Sequence, residues 1–193
     1  MARTATYRRE EVVKKAMRAF WEHGYEATGM AEIVRITGLN PGSIYAAFQS
    51  KQDLFLAALD LYGDFNRASV ERQLAKHSNP LDAIRDFFRQ LAATVAGPSG
   101  KRSCFLVNSA LEVARHDRAA RKLIRANFQS IEASLLSTLE RAQAEGHLSQ
   151  GKDIHALAAT LMVFIWGLRV LGTTGPTPEQ TEPIVAQVLE LLE

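Results

Sequence analysis

The chain has a single cysteine, Cys104, no hydrophobic run of membrane length and almost no net charge. One thiol excludes a disulfide framework within the chain and fits a reducing compartment. At 193 residues no such staple is needed, because a chain of this length buries a sizeable core. The most apolar stretch, residues 156–168, is shorter than the roughly 20 residues that cross a bilayer, so it is expected as a buried helix. The arginines near the front have no apolar run behind them, so no secretion signal and no membrane partner are expected, and the location is expected to be cytoplasmic. Five histidines, His23, His77, His116, His147 and His155, show no i, i+3 or i+4 pairing with one another or with the cysteine, so no metal site is expected. Neither a glycine-rich phosphate loop nor a nucleophile elbow occurs. No cofactor is implied, and the chain is not expected to be an enzyme.

Charge tells more by its placement than by its sum. Lys and Arg number 23 against 21 Asp and Glu, a net of +2 that favours no partner. The front carries Arg3, Arg8, Arg9, Lys14, Lys15 and Arg18 against Glu10 and Glu11. The end carries Glu179, Glu182, Glu190 and Glu193 with no base. A polyanion, if bound, belongs near the N-terminus.

Strand signals are also nearly missing, whereas helix signals recur throughout. Val12, Val13, Ala16, Phe20 and Trp21 have helical spacing, with Thr6 as an expected cap and Gly24 as a stop. Residues 32–37 form a second helix ending at Gly38, with Thr28 or Gly29 ahead of it and Glu32 placed to reach back in a capping box. Asn40 and Pro41 open a helix over residues 41–48, as cap and first helical residue. Ser50, with Asp53 three residues on, caps a long helix over 51–75. Asn79-Pro80 repeats the cap-and-proline signature before Ile84, Phe87, Phe88, Leu91 and Val95. The loop Gly97-Pro98-Ser99-Gly100 precedes an apolar helix over 103–114. A long helix then ends before Gly146, another spans about 153–171, and Thr177-Pro178-Glu179-Gln180 opens the last. The expected fold class is all-α, with nine helices.

Two short helices joined at Thr37-Gly38-Leu39-Asn40 have the proportions of a helix-turn-helix, whose second helix enters the major groove. Within residues 41–48, Ile44 and Phe48 lie i, i+4 for packing, while Gly42, Ser43, Ala46 and Ala47 keep the other side slim. The run Phe20-Trp21-Glu22-His23-Gly24-Tyr25-Glu26-Ala27-Thr28 with Met30-Ala31-Glu32-Ile33-Val34 resembles the N-terminal signature of the TetR family. Gly38-Leu39-Asn40-Pro41-Gly42-Ser43-Ile44-Tyr45, Phe48, Ser50-Lys51 and Asp53-Leu54 continue the resemblance, which covers about residues 8–60 without a gap.

The resemblance implies a small three-helix DNA-binding head at 1–50 and a ligand-binding and dimerisation body at 51–193, linked by helix 51–75. It implies that Thr28, through its hydroxyl or neighbouring amides including Gly29, Tyr45 and Lys51 hold the phosphate backbone. Asn40, Pro41, Gly42, Ser43 and Ala46 would face base edges. Where the family often has His or Tyr after the tyrosine, this chain has Ala46-Ala47, so no operator sequence carries over. The partners implied are an operator duplex, a second copy of the chain and a small-molecule effector, with repression as the usual mode. Interface expectations in the last two helices are Leu157, Leu161, Phe164, Ile165, Leu168, Val185, Leu189 and Leu192. Candidate effector-pocket residues are Tyr62, Phe65, Phe87, Phe88, Leu91, Cys104, Asn108, Glu112, Phe128 and Trp166. Cys104 follows Lys101, Arg102 and Ser103 near a helix start, and the segment resembles a single-cysteine subgroup. Control by oxidation or alkylation of Cys104 is therefore an alternative to a reversible ligand, and a cysteine-dependent redox enzyme is a more distant one.

Overall fold

The computed structural model describes residues 2–193, with side chains from Arg9 onward. Among the described residues it is built of nine α-helices: α1 (Ala2–His23), α2 (Met30–Thr37), α3 (Pro41–Phe48), α4 (Lys51–Leu74), α5 (Pro80–Ala96), α6 (Phe105–Glu112), α7 (Arg118–Ala144), α8 (Ile154–Gly172) and α9 (Pro178–Leu189). Short 3₁₀ turns at Gly100–Arg102 and Glu190–Leu192 complete it. Helix α1 begins at Ala2 rather than at Thr6; the side chains of Arg3, Thr6 and Arg8 lie outside the described residues.

Local chemistry sets most helix starts. The Asn40 side chain accepts the Ser43 N–H at 2.8 Å ahead of Pro41. Asn79 does the same for Leu81 at 2.9 Å, ahead of Pro80. Ser50 Oγ accepts the Asp53 N–H at 3.0 Å and donates to the Asp53 carboxylate at 2.7 Å. Asp153 accepts from both His155 and Ala156 at 3.0 Å. At α9 the Gln180 side chain reaches back to the Thr177 N–H at 2.9 Å, the return half of the expected box. One expected box is absent. Gly29 caps α2 without a side chain, and Glu32 turns away to His23 at 3.4 Å and Arg35 at 3.6 Å.

The chain divides into two compact units: residues 1–65 with 108–125, and 66–107 with 126–193. The first boundary falls after Phe65 rather than at residue 50, because the opening half of α4 belongs to the first core. Leu54, Phe55, Ala58 and Leu59 are buried there, as are Val12, Val13, Ala16, Ala19 and Phe20 of α1, Ile33 of α2, and Ile44 and Phe48 of α3. Phe55 meets Phe20 edge-on at 5.2 Å and Tyr25 at 4.6 Å.

In the second unit α5, α7, α8 and α9 enclose a separate core around Ile84, Phe88, Leu135, Leu139, Leu161 and Met162. Helix α8 covers the expected 153–171 to within a residue, but its apolar character extends beyond the 156–168 stretch. Its 19 residues, with mean hydropathy 1.8, are long and apolar enough to cross a membrane by length and composition. One face of it nevertheless enters this core through Leu157, Leu161, Ile165 and Leu168.

The turn between α3 and α4 is strained. Gln49 holds φ +57° and ψ −41°, and the Ser50 N–H donates to the Phe48 carbonyl across it. A side chain in this region costs about 1–3 kcal/mol. Gln49→Gly is expected to raise stability by about 0.5–1 kcal/mol, a midpoint gain of about 1–4 °C in thermal unfolding, whereas Gln49→Ala gains nothing. Equal midpoints for the glycine and alanine variants would remove the strain from the account.

Candidate nucleic-acid interface and internal cavity

Helix α3 shows one face to its unit and the other to solvent. Ile44 and Phe48 are buried, while Asn40, Pro41, Gly42, Ser43, Tyr45, Ala46 and Ala47 are exposed. The exposed face is narrow, with Tyr45 its single large side chain at 48% exposure. Gly29 is exposed at the α2 N-terminus, where first-turn amides have no intrahelical acceptor and the helix end favours an anion.

Lys51 stands at the α4 N-terminus with Nζ 4.3 Å from the centre of the Tyr25 ring. That contact orients the ammonium without neutralising it. Burial, then the nearby carboxylates of Glu26 and Asp117, push the Tyr25 phenol above its ordinary value, so it is uncharged under Lys51. Arg9 adds a second cation, its guanidinium 4.7 Å from the centre of the Phe48 ring.

Thr28 is corrected. Its side chain is fully buried, and its hydroxyl donates to the Gly24 carbonyl at 2.6 Å rather than facing outward. It fixes the α1–α2 turn, so a phosphate there would meet backbone amides.

The same turn has a clasp that the sequence did not announce as such. Glu112, at the end of α6, accepts the Tyr25 N–H at 3.1 Å and the Glu26 N–H at 2.9 Å, one on each carboxylate oxygen. Gly24 makes room for it: its φ is +86°, and a Cβ there would lie 3.0 Å from both carboxylate oxygens. Gln52 of α4 donates to Asp117 at 2.7 Å, while Asp117 also caps α7 through the Ala120 N–H at 2.9 Å.

In the second unit a cavity of about 200 Å³ opens among α4, α5, α7 and α8. Of the expected pocket residues Phe87, Leu91, Cys104, Phe128 and Trp166 line it. The others fall elsewhere. Phe88 is sealed in the core, Tyr62 meets Trp21 at 5.1 Å, and Phe65 is exposed with Lys14 at 6.0 Å from its ring centre. Asn108 and Glu112 belong to the first unit. Sequence reasoning missed the polar wall: Asn66, Ser69, Gln73, Gln90, Thr94 and Arg169. Arg169 had a legible signal, being the single charged residue within α8.

The interface expectations need correction too. Leu157, Leu161, Ile165, Leu168, Val185 and Leu192 are buried within one chain, and Phe164 and Leu189 pack half-buried against the same core. The outward faces carry Val163, Gly167 and Val170 on α8, Ile184 on α9, and Leu191 beyond it. A helix apolar on all sides does not reveal from its sequence which side faces in.

Residues 12–58 match the family of bacterial regulatory proteins described as the tetR family, and residues 80–174 match the tetracyclin repressor-like C-terminal domain. The chain is 30% identical over 190 residues to the HTH-type transcriptional repressor ComR of Escherichia coli K12, covering 98% of this chain and 90% of that one. A TetR transcriptional regulator from Chloroflexus aurantiacus is 26% identical with a TM-score of 0.87, over 97% of this chain and 95% of that one. A cysteine mutant of the regulator CifR, solved with 26-bp double-strand operator DNA, is 25% identical with a TM-score of 0.83, over 93% and 94% of the two chains.

Because the Glu112 carboxylate serves two amides, Glu112→Ala leaves both without their acceptor. The expected loss is about 2–3 kcal/mol of stability, or about 4–12 °C in midpoint, with Glu112→Gln intermediate. Equal midpoints for wild type and Glu112→Ala would show that the clasp holds nothing.

Proposed function

The chain belongs to the tetR family of bacterial regulatory proteins and is a DNA-binding transcription regulator; from that premise we propose that it is a homodimeric repressor, released from a near-palindromic operator by a small molecule held in the second unit's cavity. The slim exposed face of α3 carries the reading. Bulk there would keep the helix axis away from the bases, and small residues let it seat. Asn40, Pro41, Gly42, Ser43 and Ala46 are assigned to the base edges, with Ala46 suited to a thymine methyl. Tyr45, Lys51 and the amides around Gly29 are assigned to the phosphate backbone.

A second copy is required because one eight-residue helix reaches too few bases for tight, selective binding. The outward apolar faces of α8 and α9, with Val163 at 59% exposure, are the surface assigned to that copy. The ComR relative named a repressor and the CifR relative solved on its operator support the same reading.

Release is a matter of linkage. A ligand that prefers the conformation with lower operator affinity weakens DNA binding by its differential affinity, typically about 1–3 kcal/mol or 5- to 150-fold. Helix α4 is the assigned transmitter: Lys51 stands at its N-terminus, and its later residues Asn66, Ser69, Val70 and Gln73 line the cavity.

Genomic fragments retained by the purified protein supply the operator for the test. Tyr45→Phe and Lys51→Ala are each expected to weaken its binding about 5- to 30-fold, and Lys51→Ala to reduce the salt slope by about one. Wild-type affinity in both variants would refute the docking. Val163→Asp is expected to shift the sedimenting species toward monomer and to abolish operator binding. A dimer unchanged by Val163→Asp would place the interface elsewhere. Cys104→Ser is expected to keep effector release, and its loss would favour covalent control.

A further inference from the structure

The cavity wall has an uneven supply of partners. Most of its polar side chains are already engaged: Gln73 donates to Ser69, Gln90 to the Asp86 carboxylate at 2.8 Å, and Thr94 to the Gln90 carbonyl at 2.8 Å. Trp166 stands apart by its burial. Its indole Nε1 is buried and, among the described residues, has no hydrogen-bond acceptor. A buried donor without an acceptor is costly, and indole N–H groups in cores ordinarily find one. Three residues further along α8 stands Arg169, one helical turn away on the same face. No Asp or Glu lines the cavity, so Arg169 sets its charge. The remaining wall is apolar and aromatic, with the Phe128 ring centre 5.0 Å from that of Trp166 in a tilted contact and Phe87, Leu91, Ile131 and Met162 around it.

We infer that the cavity selects a compact organic carboxylate, its apolar body among Phe87, Phe128 and Met162 and its carboxylate shared by Trp166 Nε1–H and the Arg169 guanidinium. This rests on the cavity being the effector site. A planar carboxylate offers two oxygens, one for each donor, and the guanidinium meets such a group with a charge-assisted pair. Seating the ligand requires a small shift of neighbouring side chains to uncover Nε1, and Met162 is the flexible residue at hand. About 200 Å³ limits the guest to on the order of ten non-hydrogen atoms.

Calorimetric titration of the full-length protein with butyrate, hexanoate and benzoate, each beside its primary amide, tests the assignment. The amide keeps shape and carbonyl but removes the charge. At least one carboxylate is expected to bind about tenfold or more tightly than its amide. Arg169→Gln should abolish that preference and Arg169→Lys retain part of it. Trp166→Phe, which keeps an aromatic ring against Phe128, should weaken the carboxylate and its amide alike by about fivefold. Circular dichroism establishes that each variant is folded. Amides binding as tightly as their acids would overturn the inference, as would an acid preference that survives Arg169→Gln. No binding of any of the three acids at concentrations on the order of 10 mM would also overturn it. Operator binding is measured in the same samples. A carboxylate that shows these signatures but leaves DNA affinity unchanged would sustain the ligand class and refute only the cavity's role in release.

Discussion

A helix of eight residues cannot stand by itself in water, where even favourable sequences need about 12–15 residues to hold helical form. Helix α3 has that length and must also leave most of its surface bare. Its stability therefore comes from two side chains and its ends. Burial of Ile44 and Phe48 contributes roughly 3–6 kcal/mol. The Asn40 cap and Pro41 at the first position set where the helix begins, and the Gln49 turn sets where it ends. The first unit can be understood as support for those two buried residues. Phe20, Ile33, Leu54 and Phe55 form the core beside them, and Glu112 and Thr28 fix the turn from which α2 departs. Function demands a surface with little on it, and so the cost of order is met from behind.

Helix α8 faces the opposite problem. It is apolar nearly all round, with one side in the core of its unit and the other bearing Val163, Gly167 and Val170 to solvent. A surface of that kind is stable when covered. The apolar character that makes α8 resemble a membrane helix in composition is explained on one side by the core of its own unit, and on the other it fits the second copy proposed above.

How much of this could be read from residues alone follows from how local the causes are. Caps and stops depend on a few neighbouring side chains, and Asn40-Pro41, Ser50 with Asp53 and Asn79-Pro80 all mark the helix starts they were expected to mark. The outward face of α3 was legible for the same reason, since i, i+4 apolar spacing identifies its buried side. Tertiary facts were not legible. Thr28 has the composition of a phosphate contact, but its hydroxyl is taken by the Gly24 carbonyl. Glu112 was expected among the effector-pocket residues, and instead it serves two amides distant in sequence. The eight interface expectations fell on the side of α8 and α9 that meets the core of its own chain, a side that a helix apolar all round does not reveal from its sequence. The cavity's polar residues come from α4, α5 and α8, and no single stretch of sequence gathers them.

Near Cys104 two stretches of backbone meet without side chains between them. A Cβ on Gly100 would lie 1.9 Å from the Val95 carbonyl oxygen, and one on Gly172 would lie 2.9 Å from the Gly100 carbonyl oxygen. Ser103 beside them is pinned by its hydroxyl to the Arg169 carbonyl at 2.6 Å. Evolution can seldom retouch such a seam, because any added methyl pries the main chains apart. Under the proposed effector role of the cavity, a change of ligand would then fall on Phe87, Leu91, Phe128 or Met162 rather than on the seam.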